Sequence, residues 1–289
     1  MTLVTSIRYL TAMAQPVTPQ IISLEFSDGR DNSYFRILAG THIKYIVILP
    51  GALERSALLD MPLDFVDILP PLGYCDDGWT TAHISRNPVS GKLEATLSSP
   101  AMPGVSNVWH PTCVDFLALD RLEGLGLLAG LYTWVPGAAQ RNIDTQGAVI
   151  AKTARFEWEI PYIEQETRIY QRLEGTGLAP RFLGHVHEQG RVIGFLLAYA
   201  EGRHAGTQDL TDCRAALDQL HRLAVLHGDT NRYNFIVDGN GDVTMIDFEK
   251  AKENASQGEM EAEMAGLEEQ LKEESGWGGG FTCSEDEDD

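Results

Sequence analysis

The sequence predicts an α+β protein, and three observations support this prediction. Residues 1–110 have the composition of strands and loops. From Cys113 onward, a few strand-like runs are followed by helical patterns. Near the end of the chain, the turn-forming cluster Asp238–Asp242 separates two short apolar runs, which is typical of a β-hairpin.

The first 110 residues are predicted to form a β-rich segment. Pro100–Val108, which is rich in Pro, Gly, Ser and Asn, is predicted to be a linker. No residues in this segment group into a chemical site, so its role stays open. The strand-like runs are Ile21–Phe26, Tyr34–Leu38, Ile43–Leu49, Thr80–Ser85 and Leu93–Ser98.

Length and charge restrict the classes of protein to consider. With 289 residues and 43% hydrophobic content, the chain can bury a sizeable core as one large domain or two small ones. Its formal charge of −20 argues against nucleic-acid binding, which depends on Lys and Arg. Residues 249–289 hold 14 acidic and 3 basic side chains, so 3 − 14 = −11 of that charge lies there.

Cysteine spacing and the N-terminal residues indicate a soluble protein of the cytoplasm, with the nucleus as the alternative compartment. The four cysteines form no CxxC pair, which suits reduced thiols and offers no zinc site. Residues 1–8 lack the apolar core of a signal peptide. No uninterrupted apolar stretch approaches the ~20 residues that cross a bilayer. We therefore expect neither secretion nor membrane insertion.

A glycine-containing stretch opens the second half. Gly124 and Gly126 lie between two strand-like segments, where bare backbone amides can approach phosphates. A plain hairpin turn is the alternative interpretation. Downstream, the apolar run Ala148–Lys152 reads as a strand that ends in a lysine, and such lysines often point into water.

The following helix gives that lysine a partner. A helix is predicted between Pro161, a favourable first-turn residue, and Gly175, a terminator. Glu166 falls on its apolar face rather than on its charged side. A carboxylate turned toward a core costs several kcal/mol unless it is paired, so we expect it to meet Lys152. The alternative is a Glu166 at the edge of the stripe, in solvent.

The most informative run is His227-Gly228-Asp229-Thr230-Asn231-Arg232-Tyr233-Asn234, with Asp247 thirteen residues later. Pairing about the Asp238–Asp242 turn sets Asn234 roughly opposite Asp247 at the open end of the hairpin. Asp229 lies one short loop upstream. Three oxygen-bearing side chains are thus predicted to converge, as a magnesium and phosphate site requires.

Flanking residues are predicted to be structural. A helical stripe leads into His227, whose buried imidazole is expected to fix backbone carbonyls rather than to act in catalysis. His204 and His221 are expected at the surface without a role. The stripe consists of Leu210, Cys213, Leu217, Leu220 and Ala224.

Taken together, these motifs resemble the protein-kinase-like superfamily, including its small atypical kinases and aminoglycoside-type phosphotransferases. The resemblance covers roughly residues 113–250. Gly124-x-Gly126-x-x-Ala129 is similar to the glycine-rich loop, with alanine for the third glycine. Lys152 and Glu166 match the strand lysine and the helix glutamate that position the nucleotide's phosphates.

The resemblance also implies roles for the remaining motifs. Residues 195–202 are similar to the fifth strand and hinge, where backbone groups of Ala198 and Ala200 would meet the adenine of ATP. Asp229 would accept the proton of the acceptor hydroxyl, and Asn234 and Asp247 would bind Mg²⁺.

The implied fold is bilobal, with an antiparallel N-lobe over residues 111–197 and a reduced helical C-lobe over residues 203–275. The β-rich N-terminal segment precedes it, and an acidic disordered tail over residues 276–289 follows. A helix is expected over Ala255–Lys272. Ser284 in the tail resembles a phosphorylation site for an acidophilic kinase, but the composition favours a solubilising tail.

Departures from the family pattern bear on regulation and substrate. Gly228 stands where regulated protein kinases have arginine, which argues against control by activation-loop phosphorylation. Asn231 replaces the lysine typical of serine/threonine kinases, with Arg232 as a candidate electrostatic substitute. Glu249 replaces the glycine after Asp247-Phe248. No Ala-Pro-Glu segment follows, so we expect a small molecule or a specialised protein as the hydroxyl acceptor.

The sequence therefore predicts an ATP- and Mg²⁺-dependent phosphotransferase. Two alternatives stay open. A nucleotide-binding pseudokinase scaffold would have the same fold and would accommodate the changes at Ala129, Gly228 and Glu249. A glycoside hydrolase needs two carboxylates, which a chain with 42 acidic residues can supply, but repeated strand–helix units of a barrel are not visible.

Overall fold

The computed structural model describes residues 18–27, 30–135 and 148–273. It has a mixed α+β architecture with several sheets and few helices, as the sequence predicts. Two compact units divide the chain, Met1–Ala101 and Met102–Asp289. The predicted tail with Ser284, the end of the predicted C-lobe at residues 274–275 and residues 1–17 lie outside the described residues.

The first unit is a five-stranded sheet in the order β1-β2-β3-β4-β5. All neighbours are antiparallel except β3 and β4, which are parallel and are connected through the helix α1. The strands lie close to their predicted positions, whereas α1 was not predicted. The elements are β1 (Gln20–Glu25), β2 (Ser33–Ala39), β3 (His42–Ile48), α1 (Arg55–Ile68), β4 (Thr81–Arg86) and β5 (Leu93–Ser98).

One face of this sheet carries the core of the first unit. Phe35 pairs with Ile46, and Ile46 pairs with Ala82, so alternate residues of three strands share one face. Leu58 and Phe65 of α1 belong to the same buried cluster. The period of two along the strands therefore explains how this unit buries its apolar side chains.

The second unit contains a six-stranded sheet in the order β6-β10-β11-β9-β8-β7, in which only β6 and β10 are parallel. The helix α2 packs on it. These elements are β6 (Cys113–Asp115), β7 (Asp120–Gly124), β8 (Ala129–Thr133), β9 (Ala148–Thr153), α2 (Ile160–Leu173), β10 (Phe182–Glu188) and β11 (Arg191–Ala198).

The rest of the second unit consists of helices and short ladders. The helices α3 and α4 pack against each other, and their leucines join the same buried core as the sheet. The elements are β12 (Arg203–His204), α3 (Leu210–Arg222), β13 (Val225–Leu226), β14 (Phe235–Val237), β15 (Val243–Met245), β16 (Lys252–Glu253) and α4 (Gln257–Lys272).

The helix α2 forms as its sequence predicts. Pro161 lies in its first turn, and Gly175 follows its end with a φ of +74°. Ile169 and Tyr170 are buried, and the Tyr170 ring centroid lies 5.4 Å from that of Phe195 on β11. The apolar face thus packs on the sheet and fixes the position of Glu166 within it.

The segment after the first unit belongs with the second one. The division falls after Ala101, whereas the sequence predicts a boundary after residue 110. The Val105 amide donates to the Val192 carbonyl over 2.8 Å. The Ser106 amide and hydroxyl donate to Glu164 of α2 over 2.6 and 2.8 Å. Residues 102–110 are therefore anchored on both β11 and α2.

The described elements bear on two structures, a β/α barrel and a membrane-spanning helix. Within the described ranges, the sheets form no series of repeated parallel strand–helix units, so they do not make the barrel of a β/α glycoside hydrolase. No helix in the same ranges combines the length and apolar character that crossing a bilayer takes.

Candidate functional site

The predicted hairpin positions the two candidate metal-binding residues. Phe235 pairs with Met245 and Val237 with Val243, so Asn234 faces Ile246, whose amide donates to the Asn234 carbonyl over 2.9 Å. The pairing is therefore one residue away from the predicted partner, Asp247. Asp247 follows directly with φ 63° and ψ 67°, a left-handed conformation that aspartate tolerates better than most residues.

The loop that carries Asp229 is held by its own side chains. Asn231 accepts a hydrogen bond from the Tyr233 amide over 2.9 Å and caps a short 3₁₀ helix, Arg232–Asn234. Its carboxamide also donates to Asp229 Oδ1 over 2.9 Å. Asn234 Nδ2 donates to the Asp229 carbonyl over 2.9 Å. Asp229 is thus oriented from both sides.

Lys152 connects β9, α2 and the end of the hairpin. Its Nζ lies 2.8 Å from Glu166 Oε2, 3.0 Å from Glu166 Oε1 and 2.5 Å from Asp247 Oδ1. Glu166 is only 1% exposed and also accepts the Phe248 amide over 3.1 Å. The predicted Lys152–Glu166 contact is therefore present, and Glu166 does not lie in solvent.

Electrostatics keep this lysine charged. Burial by itself lowers the pKa of Lys152, but the carboxylates of Glu166 and Asp247 outweigh burial and hold the pKa above its ordinary value. One ammonium is thus shared by a buried carboxylate and by a carboxylate whose side chain is 41% exposed. The exposed end of this arrangement lies at Asp247.

Asp229 has a cationic neighbour, Lys250, that the sequence pattern does not reveal. Lys250 Nζ lies 2.8 Å from Asp229 Oδ2. Burial alone raises the pKa of Asp229, but hydrogen bonds from Lys250 and Asn231 outweigh it and hold the pKa below its ordinary value. Arg232, the predicted substitute cation, donates its Nε to the Ala205 carbonyl over 3.0 Å.

Gly228 is explained by the approach of Lys250. Its φ is +79°, and a Cβ added there would lie 2.3 Å from the Lys250 carbonyl oxygen. Any larger residue would push the backbone around Lys250 away from the loop. Glycine at position 228 is therefore a packing requirement in this chain.

Of the histidines singled out in the sequence, His227 and His221 make structural contacts. His227 is fully buried, and its Nε2 lies 3.1 Å from the Ile246 carbonyl oxygen, as the prediction of a carbonyl-fixing histidine requires. Burial lowers the pKa of His227. His204 is exposed, as predicted. The prediction for His221 was wrong, because its side chain is 11% exposed and its Nε2 lies 2.7 Å from Glu263 Oε2.

Glu263 of α4 anchors the loop and was also missed. Its Oε1 accepts the Gly228 amide over 2.6 Å, and its Oε2 accepts the His227 amide over 3.2 Å. Among the many glutamates of the sequence after residue 249, no local pattern distinguishes this one. A nearby helix thus holds the backbone next to Asp229.

The glycine-containing stretch forms a β-hairpin beside Lys152. Gly124 ends β7, Gly126 lies in the connecting loop, and Ala129 begins β8 directly opposite Lys152. A Cβ added at Gly126 would meet no atom of the described residues within 4 Å, so packing against them does not require glycine there. The backbone of this stretch is a β-hairpin, as the alternative interpretation predicts. Phosphate binding by the same stretch stays a prediction.

The predicted adenine contacts lie at the end of β11. Ala198 is the last residue of this strand, and its amide donates to the Arg181 carbonyl over 2.9 Å. Ala200 follows two residues later. Ala198 of β11 pairs with Val149 of β9, so this end of β11 lies on the same sheet as Lys152. Of the Ala198 backbone groups, the carbonyl is the better candidate for a ligand contact.

The candidate metal ligands fit Mg²⁺ by their chemistry. The Asn234 carboxamide uses its nitrogen on the Asp229 carbonyl, which fixes its oxygen as the atom that can accept a cation. Asp247 supplies a partly exposed carboxylate. Mg²⁺ is commonly bound through one or two carboxylates together with substrate phosphates. In the described part of the chain, no cluster of three His, Cys, Asp or Glu side chains forms a protein-only metal site.

Comparison with known proteins gives no family for this chain, because no model of a protein family and no curated protein matches its sequence. Its function is therefore inferred from the geometry of the residues described above.

Proposed function

We propose that this protein is an ATP- and Mg²⁺-dependent phosphotransferase with a bilobal protein-kinase-like fold. In this proposal the six-stranded sheet with α2 forms the small lobe, and the hairpin with α3 and α4 forms a reduced large lobe. The order of the motifs along the chain supports this assignment. The acceptor is a hydroxyl of a small molecule or of a specialised protein.

The observation that carries the proposal is the ammonium of Lys152 between two carboxylates. A buried ion pair stabilises a fold only weakly, because desolvation offsets most of the attraction. Here the pair with Glu166 aims the same ammonium at Asp247, which is partly exposed. Charged groups held in this manner next to an accessible carboxylate are characteristic of functional sites.

Each side chain has a role in this proposal. Lys152 orients the phosphates of ATP, and Glu166 holds Lys152. Asn234 and Asp247 hold the cation, which supplies charge neutralisation at the phosphates when it is bound. Asp229, kept ionised by its neighbours, orients the acceptor hydroxyl and accepts its proton.

A nucleotide-binding pseudokinase scaffold is the second candidate, and one observation favours it. Both carboxylate oxygens of Asp229 already accept hydrogen bonds, Oδ1 from Asn231 and Oδ2 from Lys250. An acceptor hydroxyl must share one of these oxygens or displace a donor. A scaffold would keep both contacts permanently.

The two candidates differ in ATP turnover. ADP formation is measured in the purified protein with ATP and Mg²⁺, and in the variants Asp229→Asn and Asp218→Asn. Asp218 is a matched control, because it lies on the exposed side of α3 and pairs with Arg222 over 2.5 Å. The proposal requires loss of turnover in Asp229→Asn only. Equal background turnover in all three proteins would refute the enzyme, and nucleotide binding without turnover would support the scaffold.

A further inference from the structure

We propose that Lys250 is a further catalytic residue, whose ammonium balances the negative charge of the phosphoryl group while that group passes to the acceptor. This inference rests on the proposed phosphotransferase activity and deepens it. No sequence motif gives Lys250 a role, and its relation to Asp229 emerges only from the fold.

The backbone of Lys250 is fixed by buried neighbours. Phe248 is fully buried, its amide donates to Glu166, and its ring centroid lies 4.9 Å from that of His227. Lys250 is the last residue of the 3₁₀ turn Phe248–Lys250, so the buried Phe248 also fixes the backbone at Lys250. Gly228 then allows the Lys250 carbonyl to approach the Asp229 loop closely. Lys250 is thus held next to Asp229 from two directions.

The ammonium of Lys250 lies where the transferred group must pass. Its Nζ is 2.8 Å from Asp229 Oδ2. A hydroxyl that donates to the same carboxylate lies about 2.7 Å from it, so the ammonium is within a few ångströms of the attacking oxygen. The Lys250 side chain is 68% exposed, which leaves its tip able to move between Asp229 and a phosphate.

The two lysines of the site differ in position and therefore in the phosphates that they can contact. Lys152 is enclosed, with its side chain 11% exposed, and it contacts Glu166 and Asp247. Lys250 is accessible and contacts Asp229. Its hydrogen bond to Asp229 raises the pKa of Lys250, so the ammonium is charged at neutral pH. Lys152 is placed to contact the phosphates that stay on the nucleotide. Lys250 is placed to contact the γ-phosphoryl group that is transferred.

The transfer step balances with these groups. The acceptor oxygen forms a bond to the γ-phosphorus while the bond from that phosphorus to the bridging oxygen of ADP breaks. The proton of the acceptor passes to Asp229, and ADP leaves with the electron pair on its terminal oxygen. Lys250 exchanges its contact with Asp229 for one with the equatorial oxygens of the transferred group, over which its negative charge is spread.

The test compares Lys250→Met and Lys250→Arg with the control Lys252→Met. Lys252 is a neighbouring exposed lysine that pairs with Glu259 over 2.6 Å. For each protein, the dissociation constant of Mg²⁺–ADP is measured with and without fluoroaluminate, which mimics the transferring phosphoryl group. ADP formation from ATP, with water as the acceptor, is the second readout. Thermal melting checks that each variant is folded.

If Lys250 acts on the transferred group, Lys250→Met weakens the fluoroaluminate complex and lowers turnover by about tenfold or more. The affinity for Mg²⁺–ADP alone stays within about twofold, because Lys250 contacts the transferred phosphoryl group, which ADP lacks. Lys250→Arg restores most of the loss, because it restores the charge. Lys252→Met matches the wild type.

The inference is overturned if Lys250→Met and Lys252→Met give the same ratio of the two dissociation constants. It is also overturned if fluoroaluminate adds no affinity to the wild type, since Lys250 would then have no transferred charge to balance. A wild-type protein that binds no Mg²⁺–ADP would refute the proposed function itself. Binding of Mg²⁺–ADP with an unaffected Lys250→Met variant would refute the role of Lys250 alone.

Discussion

The carbonyl oxygen of Lys250 lies 2.3 Å from the position that a Cβ at Gly228 would occupy. Real Cβ atoms essentially never come this close to another atom, and the φ of Gly228 is positive. Gly228 therefore lets two chain segments meet at Asp229, and the contact depends on the absence of a side chain.

We expect Gly228→Ala to destabilise the protein more than a typical glycine substitution does. The left-handed backbone costs about 1–2 kcal/mol for a residue with a Cβ, and the clash with Lys250 adds to it. Gly241→Ala is the control, because Gly241 has a φ of +91° but, among the residues that the structure describes, no atom within 4 Å of an added Cβ. Urea unfolding measures both. Equal losses would show that the backbone around Lys250 moves freely.

Removal of the Glu263 carboxylate should loosen the Asp229 loop. Glu263→Ala leaves the amides of His227 and Gly228 without their acceptor, which costs about 2–3 kcal/mol of unfolding free energy. Glu261→Ala on the same helix, where the carboxylate accepts from the exposed Gln257, should change it by less than about 0.5 kcal/mol. Hydrogen exchange at residues 227 and 228 should accelerate only in the first variant; unchanged exchange would contradict the anchoring role.

Nucleotide binding should depend on magnesium through Asp247. At a hundredfold excess over the dissociation constant, Mg²⁺–ADP stabilises the folded protein by about 2.7 kcal/mol and raises its Tm. Chelation of magnesium should remove most of this increase, and Asp247→Ala should abolish the part that magnesium adds. Asp242→Ala, in the exposed turn of the same hairpin, should retain it. A magnesium effect that survives Asp247→Ala would exclude this residue as a ligand.

Acid should destabilise the protein through His185. Burial, with a smaller effect of His110, lowers the pKa of His185 from 6.5 to about 4. The unfolded chain therefore takes up a proton as the pH falls below 6.5, while the folded chain does not. The stabilisation is present above pH 6.5 and is lost as the pH falls toward 4.

Between pH 7 and pH 5, this residue alone should lower the unfolding free energy by about 2 kcal/mol. His185→Gln should lose that part of the pH dependence, and His204→Gln, at an exposed position, should keep it. Urea midpoints at the two pH values provide the measurement. Identical pH dependence in all three proteins would show that His185 titrates normally when folded.

The sequence predicts the parts of the site that local patterns encode. The turn-rich Asp238–Asp242 cluster indicates the hairpin, and the apolar stripe around Glu166 predicts its contact with Lys152 because a lone buried carboxylate is costly. The helix Arg55–Ile68 was missed, since Pro62 lies within it and discourages a helical interpretation.

Other parts of the site depend on contacts that sequence spacing does not reveal. Lys250 and Glu263 read as surface charges in an acidic region, and their partners lie 21 and 35 residues away. His221 was assigned to the surface because helical periodicity cannot show that a glutamate of another helix covers it. Such pairs are set by how α3, α4 and the loop pack together.

The two hydrogen bonds from Ser106 to Glu164 have a practical consequence for the choice of fragment boundaries in this chain. A truncation just before Cys113 would strip Trp109, whose ring centroid lies 4.6 Å from that of Phe182, together with both hydrogen bonds to Glu164. An autonomous recombinant fragment of the second half should begin at Met102, and limited proteolysis should spare the bonds from there to Cys113.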